Sequence, residues 1–137
     1  MTNRDLYPRD EWNFVFGLAS LEGASGVFSF CRYNPEFAGE KFDKLVWIRR
    51  ACYVMAHETV HMFGMKHCIY YDCLMNGSMS AEESARRRNN TLCPVCLKKL
   101  KANIKFDTKL RFENLLKAAT ALGFQDEVQQ YTYILSL

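Results

Sequence analysis

All three histidines of this chain fall in one short stretch, His57-Glu58-Thr59-Val60-His61-Met62-Phe63-Gly64-Met65-Lys66-His67. On a helix, residues four apart share a face, so His57 and His61 can offer both imidazoles to one metal ion. Glu58 is rotated one step away and reaches a water beside that ion rather than the ion. As general base it would take the proton of that water during attack on a carbonyl. Zinc makes such a water reactive by lowering its pKa from about 15.7 to about 7. Gly64 lets the chain turn sharply after His61, so that His67 swings back as third ligand. A fourth position then stays open for water or substrate, which separates a catalytic zinc from a structural one. H-E-x-x-H alone arises by chance in many helices. Its continuation with Gly64 and His67, and the lack of any histidine elsewhere, make it a metal site.

Six cysteines divide into two kinds. Cys68, Cys73, Cys93 and Cys96 form a C-x4-C pair and a C-x-x-C pair, a spacing of zinc-ribbon type. Four thiolates arranged tetrahedrally suit a closed structural zinc. Cys31 and Cys52 fit no such pattern and read as small core hydrophobes. Met75 follows Cys73 by two residues. By itself it reads as a core methionine. Beneath three imidazoles its polarizable side chain would form an apolar floor.

Together the run reads H-E-x-x-H-x-x-G-x-x-H-C-x4-C-x-M-x17-C-x-x-C from His57 to Cys96. This pattern resembles that of the archaemetzincins, a family of zinc metalloproteases in the metzincin clan. The resemblance extends upstream to Asp5-Leu6-Tyr7 and Trp12 to Ala19, and downstream to Cys93-Pro94-Val95-Cys96-Leu97-Lys98-Lys99-Leu100. It is closest to the eukaryotic members that keep the third histidine. The resemblance implies an α+β peptidase fold, with a small twisted sheet over an active-site helix. It also implies two zinc ions per chain, one catalytic and one structural, and Met75 in the turn below the catalytic ion. In metzincins an edge strand pairs with extended substrate, so Phe14 to Ser20 is the candidate edge, with Phe16, Gly17, Leu18 and Ala19 as substrate-binding residues. The implied activity is peptide-bond hydrolysis, aminopeptidase-like on small peptides. Relatives carry a further N-terminal section with strands and a helix. With only a hairpin of the sheet retained, two readings of the expected catalytic domain, residues 1–103, stay open: the helices and zinc sites compensate for the small sheet, or the domain is N-terminally truncated. Residues 104–137 are expected as a helical extension packed on it. A rival reading is a catalytically inactive module folded around two zinc ions and used for binding. Glu58 and the open ligand position favour the enzyme, and the absent strands favour the module.

Positioning these residues requires particular elements. Trp12 to Leu21 and Val27 to Tyr33 read as two strands joined by a Gly-containing loop. In the second, Val27, Ser29 and Cys31 would share one face, with Phe28, Phe30 and Arg32 on the other. Asn34 to Glu40, with Pro35 and Gly39, reads as a surface connection. From Asp43 to Phe63 no Gly or Pro intervenes, and Leu45, Ile48, Cys52, Met55, Thr59 and Met62 recur at helical spacing. Asp43 suits the N-cap and Gly64 the left-handed stop. A short helix is expected over Ser80–Arg88, another after Pro94 through Lys101, and two more over Thr108–Leu122 and Gln125–Leu137.

Composition narrows the class. The 137 residues are 49% hydrophobic and 24% charged, ordinary for one globular domain with a modest core. A formal charge of +3 argues for neither nucleic acid nor an anionic membrane. Arg86-Arg87-Arg88 reads as a solvated face rather than a nucleic-acid contact. No apolar run approaches the roughly 20 residues that span a bilayer, and no signal peptide is evident. The expected compartment is cytosolic or nuclear, where thiols stay reduced and cysteine pairs read as metal ligands. The expected partner is a peptide or protein substrate, and the expected state a monomer.

Overall fold

The computed structural model describes residues 2–11, 13–20, 25–78, 83 and 90–137. Two short strands, β1 (Gly17–Ala19) and β2 (Gly26–Phe28), pair antiparallel, with Gly17 opposite Phe28 and Leu18 opposite Val27. Thr2 extends the outer side of β2: its N–H donates to the Phe28 carbonyl at 2.9 Å, and its carbonyl accepts from Phe30 at 3.0 Å. Leu6 makes an isolated bridge to Val15.

The strands are shorter than the alternation of residue types implies, and the second one ends for visible reasons. The carbonyl of Phe30 accepts the indole N–H of Trp47 at 3.0 Å and so leaves the ladder. Arg32 turns to Asp5, donating from Nε at 2.8 Å and Nη2 at 2.9 Å, with its guanidinium carbon 3.3 Å from the centre of the Phe14 ring. Cys31–Tyr33 accordingly forms a 3-10 turn rather than the end of a strand. The two-faced pattern fails too. Phe28 and Ser29 are both buried, because Ser29 donates its hydroxyl to the Arg4 carbonyl at 2.7 Å. A second 3-10 turn, Pro35–Ala38, leads onward from Asn34.

Helix α1 spans Lys44–His61. Asp43 caps it, accepting from the N–H groups of Leu45 and Val46 at 2.8 and 3.1 Å. Gly64 takes the left-handed conformation (φ 74°) just beyond its end, as the sequence implies. The buried face differs from the expected stripe: it carries Tyr53, Val54, His57 and Val60, while Leu45 is 44% exposed. The reason is tertiary. Tyr53 and Val60 pack into a core built around the four cysteines, Met65, Leu74 and Met75. Ile48 and Cys52 are half-buried against a second core formed by the C-terminal helices. Cys31 is also half-buried rather than a core residue.

Three further helices follow among the described residues: α2 (Pro94–Ile104), α3 (Thr108–Leu122) and α4 (Gln125–Ser136). Asp107 caps α3, and Gly123 (φ 76°) ends it. Phe112, Ala119, Phe124 and Tyr131 join α3 to α4. Arg49 of α1 donates to Glu127 of α4 at 2.6 Å, which ties the C-terminal pair to the histidine-bearing helix. The helix expected over Ser80–Arg88 and the arginine run lie outside the described residues, Glu83 apart. No helix among the described residues is long and apolar enough to cross a membrane.

Candidate functional site

The last turns of α1 place His57 and His61 on one face, and the turn at Gly64 returns the chain so that His67 meets them. Nε2 of His57 lies 3.1 Å from Nε2 of His61 and 3.3 Å from Nε2 of His67. What these nitrogens can do follows from the partners of the other ring atoms. Nδ1 of His57 lies 2.7 Å from the Leu74 carbonyl, and Nδ1 of His61 lies 2.5 Å from the Met65 carbonyl. A carbonyl can only accept, so Nδ1 carries the proton in both rings and Nε2 is left with a lone pair. Bare lone pairs at such separations repel unless a cation lies between them. Nitrogens held about 2.0–2.1 Å from a tetrahedral zinc lie about 3.3 Å apart, so the donor set fits that ion. Gly77 backs His67, where a Cβ would stand 3.0 Å from Nδ1.

Glu58 shares the cleft with His57 and His67, beneath β1. Its side chain lies so close to Gly17 that a Cβ there would stand 2.8 Å from Cγ and 2.9 Å from Cδ. Burial raises the Glu58 pKa above the ordinary carboxylate value, partly opposed by His61. The cleft has a volume of about 290 Å3, and Phe14, Phe16, Tyr33 and Val54 supply its apolar wall.

Cys68, Cys73, Cys93 and Cys96 converge as a second group, all four buried and none in a disulfide. In each of the two groups the candidate ligand atoms lie within 4.8 Å of one another. Sγ of Cys68 and Cys93 are 4.0 Å apart, against about 3.8 Å for sulfurs on a tetrahedral zinc. Backbone N–H groups aim at the sulfurs: Cys93 N–H at Cys73 Sγ (3.2 Å) and Cys96 N–H at Cys93 Sγ (3.4 Å). N–H donors from Tyr70 and Tyr71 bring the Cys68 thiol down to about 7, while burial pushes Cys73 and Cys96 up. Four thiols packed this way can all ionise only around a cation.

The two groups share a wall. Cys73 to Asn76 form a turn, closed by the Asn76 N–H to the Cys73 carbonyl at 3.0 Å. Met75 is fully buried in it, and its carbonyl accepts from Cys68 at 2.7 Å. Asn76 clamps the loop: Oδ1 accepts from Cys73 N–H at 2.8 Å, while Nδ2 donates to the carbonyls of Cys68 and Tyr71 at 2.7 and 2.8 Å.

Asn76 and Tyr53 escaped the sequence reading. The Asn76-Gly77 dipeptide was the available signal for the turn, and the four-residue step from Tyr53 to His57 the signal for a shared face. Nothing in the sequence points to the Leu74 carbonyl. Phe16 and Gly17 line the cleft, whereas Leu18 is exposed on β1.

Comparison with known proteins identifies the family. Archaemetzincin-2 of Pongo abelii is 40% identical over 142 aligned positions, which cover 85% of this chain and 39% of that protein. Archaemetzincin-1 of Homo sapiens is 30% identical, covering 84% of this chain and 28% of that one. The chain thus spans about two fifths of the length of the archaemetzincin-2 relatives it matches. The crystal structure of archaemetzincin from Methanopyrus kandleri superposes with a TM-score of 0.63 at 32% identity, covering 76% of this chain and 53% of that one. The archaemetzincin of Archaeoglobus fulgidus complexed with malonate gives a TM-score of 0.58 at 32% identity, covering 71% and 56%. The family model described as Peptidase family M54 matches residues 1–102, from the first residue into α2. A match of that extent takes in both ligand groups and the strands beside them, and the chain belongs to peptidase family M54, the archaemetzincins.

Proposed function

We propose that this chain is a zinc-dependent peptidase in which His57, His61 and His67 hold the catalytic ion and Glu58 is the general base. The observation that carries this reading is the convergence of the three histidine rings, with the half-buried Glu58 carboxyl beside His57 and His67 in the same cleft. Zinc bound there supplies Lewis acidity, polarising an amide carbonyl and making water nucleophilic near neutral pH. The chain's residues do the rest. Glu58 takes the proton of the attacking water and delivers it to the departing amine, so its charge is restored at the end of the cycle. Leu74 and Met65, through their carbonyls, keep His57 and His61 in the tautomer that presents Nε2. Gly17 gives Glu58 the space in which it works.

Substrate would lie along β1, its backbone pairing with the edge at Phe16 to Ala19 by strand addition. The cleft of about 290 Å3 has room for part of a short peptide, and the aminopeptidase-like activity is what the family resemblance implies. Cys68, Cys73, Cys93 and Cys96 hold a second, structural zinc, and Met75 floors the histidine site from the turn between them. In this reading residues 1–103 form the catalytic unit and residues 104–137 a supporting extension.

The test joins metal analysis to a peptide-library digest of the chain and of Glu58→Gln. Two zinc ions per chain in both proteins, with cleavage only by the unmodified chain, is the expected result. Two zinc ions and no cleavage by either would make the protein a binding module instead.

A further inference from the structure

Tyr53 precedes His57 by one helical turn and is buried beside it, the two rings near-parallel at 21° with centroids 6.5 Å apart. Both side chains reach the same acceptor. The Leu74 carbonyl takes the Nδ1–H of His57 at 2.7 Å and the hydroxyl of Tyr53 at 3.2 Å. The Leu74 N–H is held as well, donating to the Thr91 carbonyl at 2.7 Å. We infer that Tyr53 is a positioning residue for His57, acting through the Leu74 carbonyl that fixes the imidazole's direction. This rests on the reading of His57 as a metal ligand.

The physical reasoning is one of restraint rather than of charge. An imidazole ligates in the direction set by the partner of its other nitrogen. Here that partner is a peptide oxygen in a turn, and a peptide plane can rotate unless both sides are tied. Thr91 ties the N–H side. On the oxygen side the other donor among the described residues is His57 itself, which cannot define its own orientation. The Tyr53 hydroxyl supplies an independent second donor to an oxygen that has two lone pairs. Its removal leaves the carbonyl satisfied by His57, so the fold loses little. What changes is how sharply Nε2 is aimed at the other two imidazoles.

The experiment uses the full chain loaded at both sites and Tyr53→Phe, which keeps the ring and removes the oxygen. Zinc is titrated away with a chromophoric chelator, resolving the histidine site from the tighter thiolate cluster. Direct outer-shell partners change metal affinity about 10- to 100-fold, and one layer further out we expect about three- to tenfold weaker binding at the histidine site. Affinity of the thiolate cluster should not change. Tyr131→Phe, which removes another buried hydroxyl from the α3–α4 core, should leave both sites unchanged. Equal histidine-site affinity in Tyr53→Phe and the unmodified chain overturns the inference. Equal weakening at the thiolate cluster, or in Tyr131→Phe, also overturns it, since either marks general loosening. Absence of zinc from the histidines of the unmodified chain refutes the metal-site reading, and this inference falls with it.

Discussion

Gly17→Ala adds one methyl group at the point where β1 meets Glu58, and its consequences for stability and activity should part company. The new Cβ would lie 2.8 Å from Glu58 Cγ, 2.9 Å from Cδ and 3.2 Å from Oε1. Carbon atoms in contact sit about 3.5–4.0 Å apart, so the carboxyl must withdraw by roughly 0.6–1.2 Å. Gly17 is not among the glycines with positive φ, so alanine meets no backbone strain there. Replacing glycine at such a site restricts the unfolded chain and stabilises by about 0.4–1 kcal/mol. Forcing Glu58 away from its rotamer costs about 0.5–1.5 kcal/mol. These nearly cancel, and the melting temperature should stay within a few degrees of that of the unmodified chain. Catalysis has no such compensation. A base contributes about 10²–10⁴-fold, and displacement by about 1 Å can cost 10²-fold. We expect kcat on a peptide substrate to fall about 10- to 100-fold, with KM nearly constant and zinc content unchanged. Steady-state kinetics, thermal melts and metal analysis on one preparation decide the matter. Unchanged kcat, or a loss confined to KM, would refute the argument that Gly17 makes room for the base.

Three other perturbations test the frame around the site. Asn76→Ala removes three hydrogen bonds from the loop between Cys68 and Cys73 and should cost about 2–3 kcal/mol in chemical denaturation, with faster zinc loss from the thiolates. Glu127→Ala leaves Arg49 without its shortest ion pair at the α1–α4 contact, and a loss of about 2–3 kcal/mol, or roughly 6–12 °C in Tm, is expected. The third concerns pH. The Arg32 guanidinium, hydrogen-bonded to Asp5, holds that carboxyl below its ordinary value. A depressed carboxylate stabilises the fold above its unfolded pKa, about 3.9, and loses that contribution as pH falls through the lower folded value. Asp5→Asn should therefore destabilise by about 1 kcal/mol at pH 7, and the difference should shrink towards zero in denaturant titrations as pH falls through the lowered folded pKa.

How much of this was legible beforehand depended on the range of the interaction. The cap at Asp43, the stop at Gly64 and the bounds of α3 rest on hydrogen bonds between near neighbours, and the sequence displays them. The four-residue step between His57 and His61 is likewise a local helical property. By contrast, the second strand's end is set by distant partners that its residue alternation does not show: Trp47 takes the Phe30 carbonyl and Asp5 holds Arg32. The buried face of α1 was misread because two separate cores meet that helix, so its apolar residues trace no single stripe.

From the sequence alone came the ligand types, their spacing and the family pattern, since each is a property of residue identity and local geometry. Only the tertiary structure decided which lone pair each imidazole presents. For His57 and His61 that choice is made by the carbonyls of Leu74 and Met65, and backbone oxygens carry no mark in a sequence. The same holds for Gly17 against Glu58 and for Asn76 across the cysteine loop. In each, atoms distant along the chain or hidden in the backbone are brought within hydrogen-bond or van der Waals range only once the cores have packed.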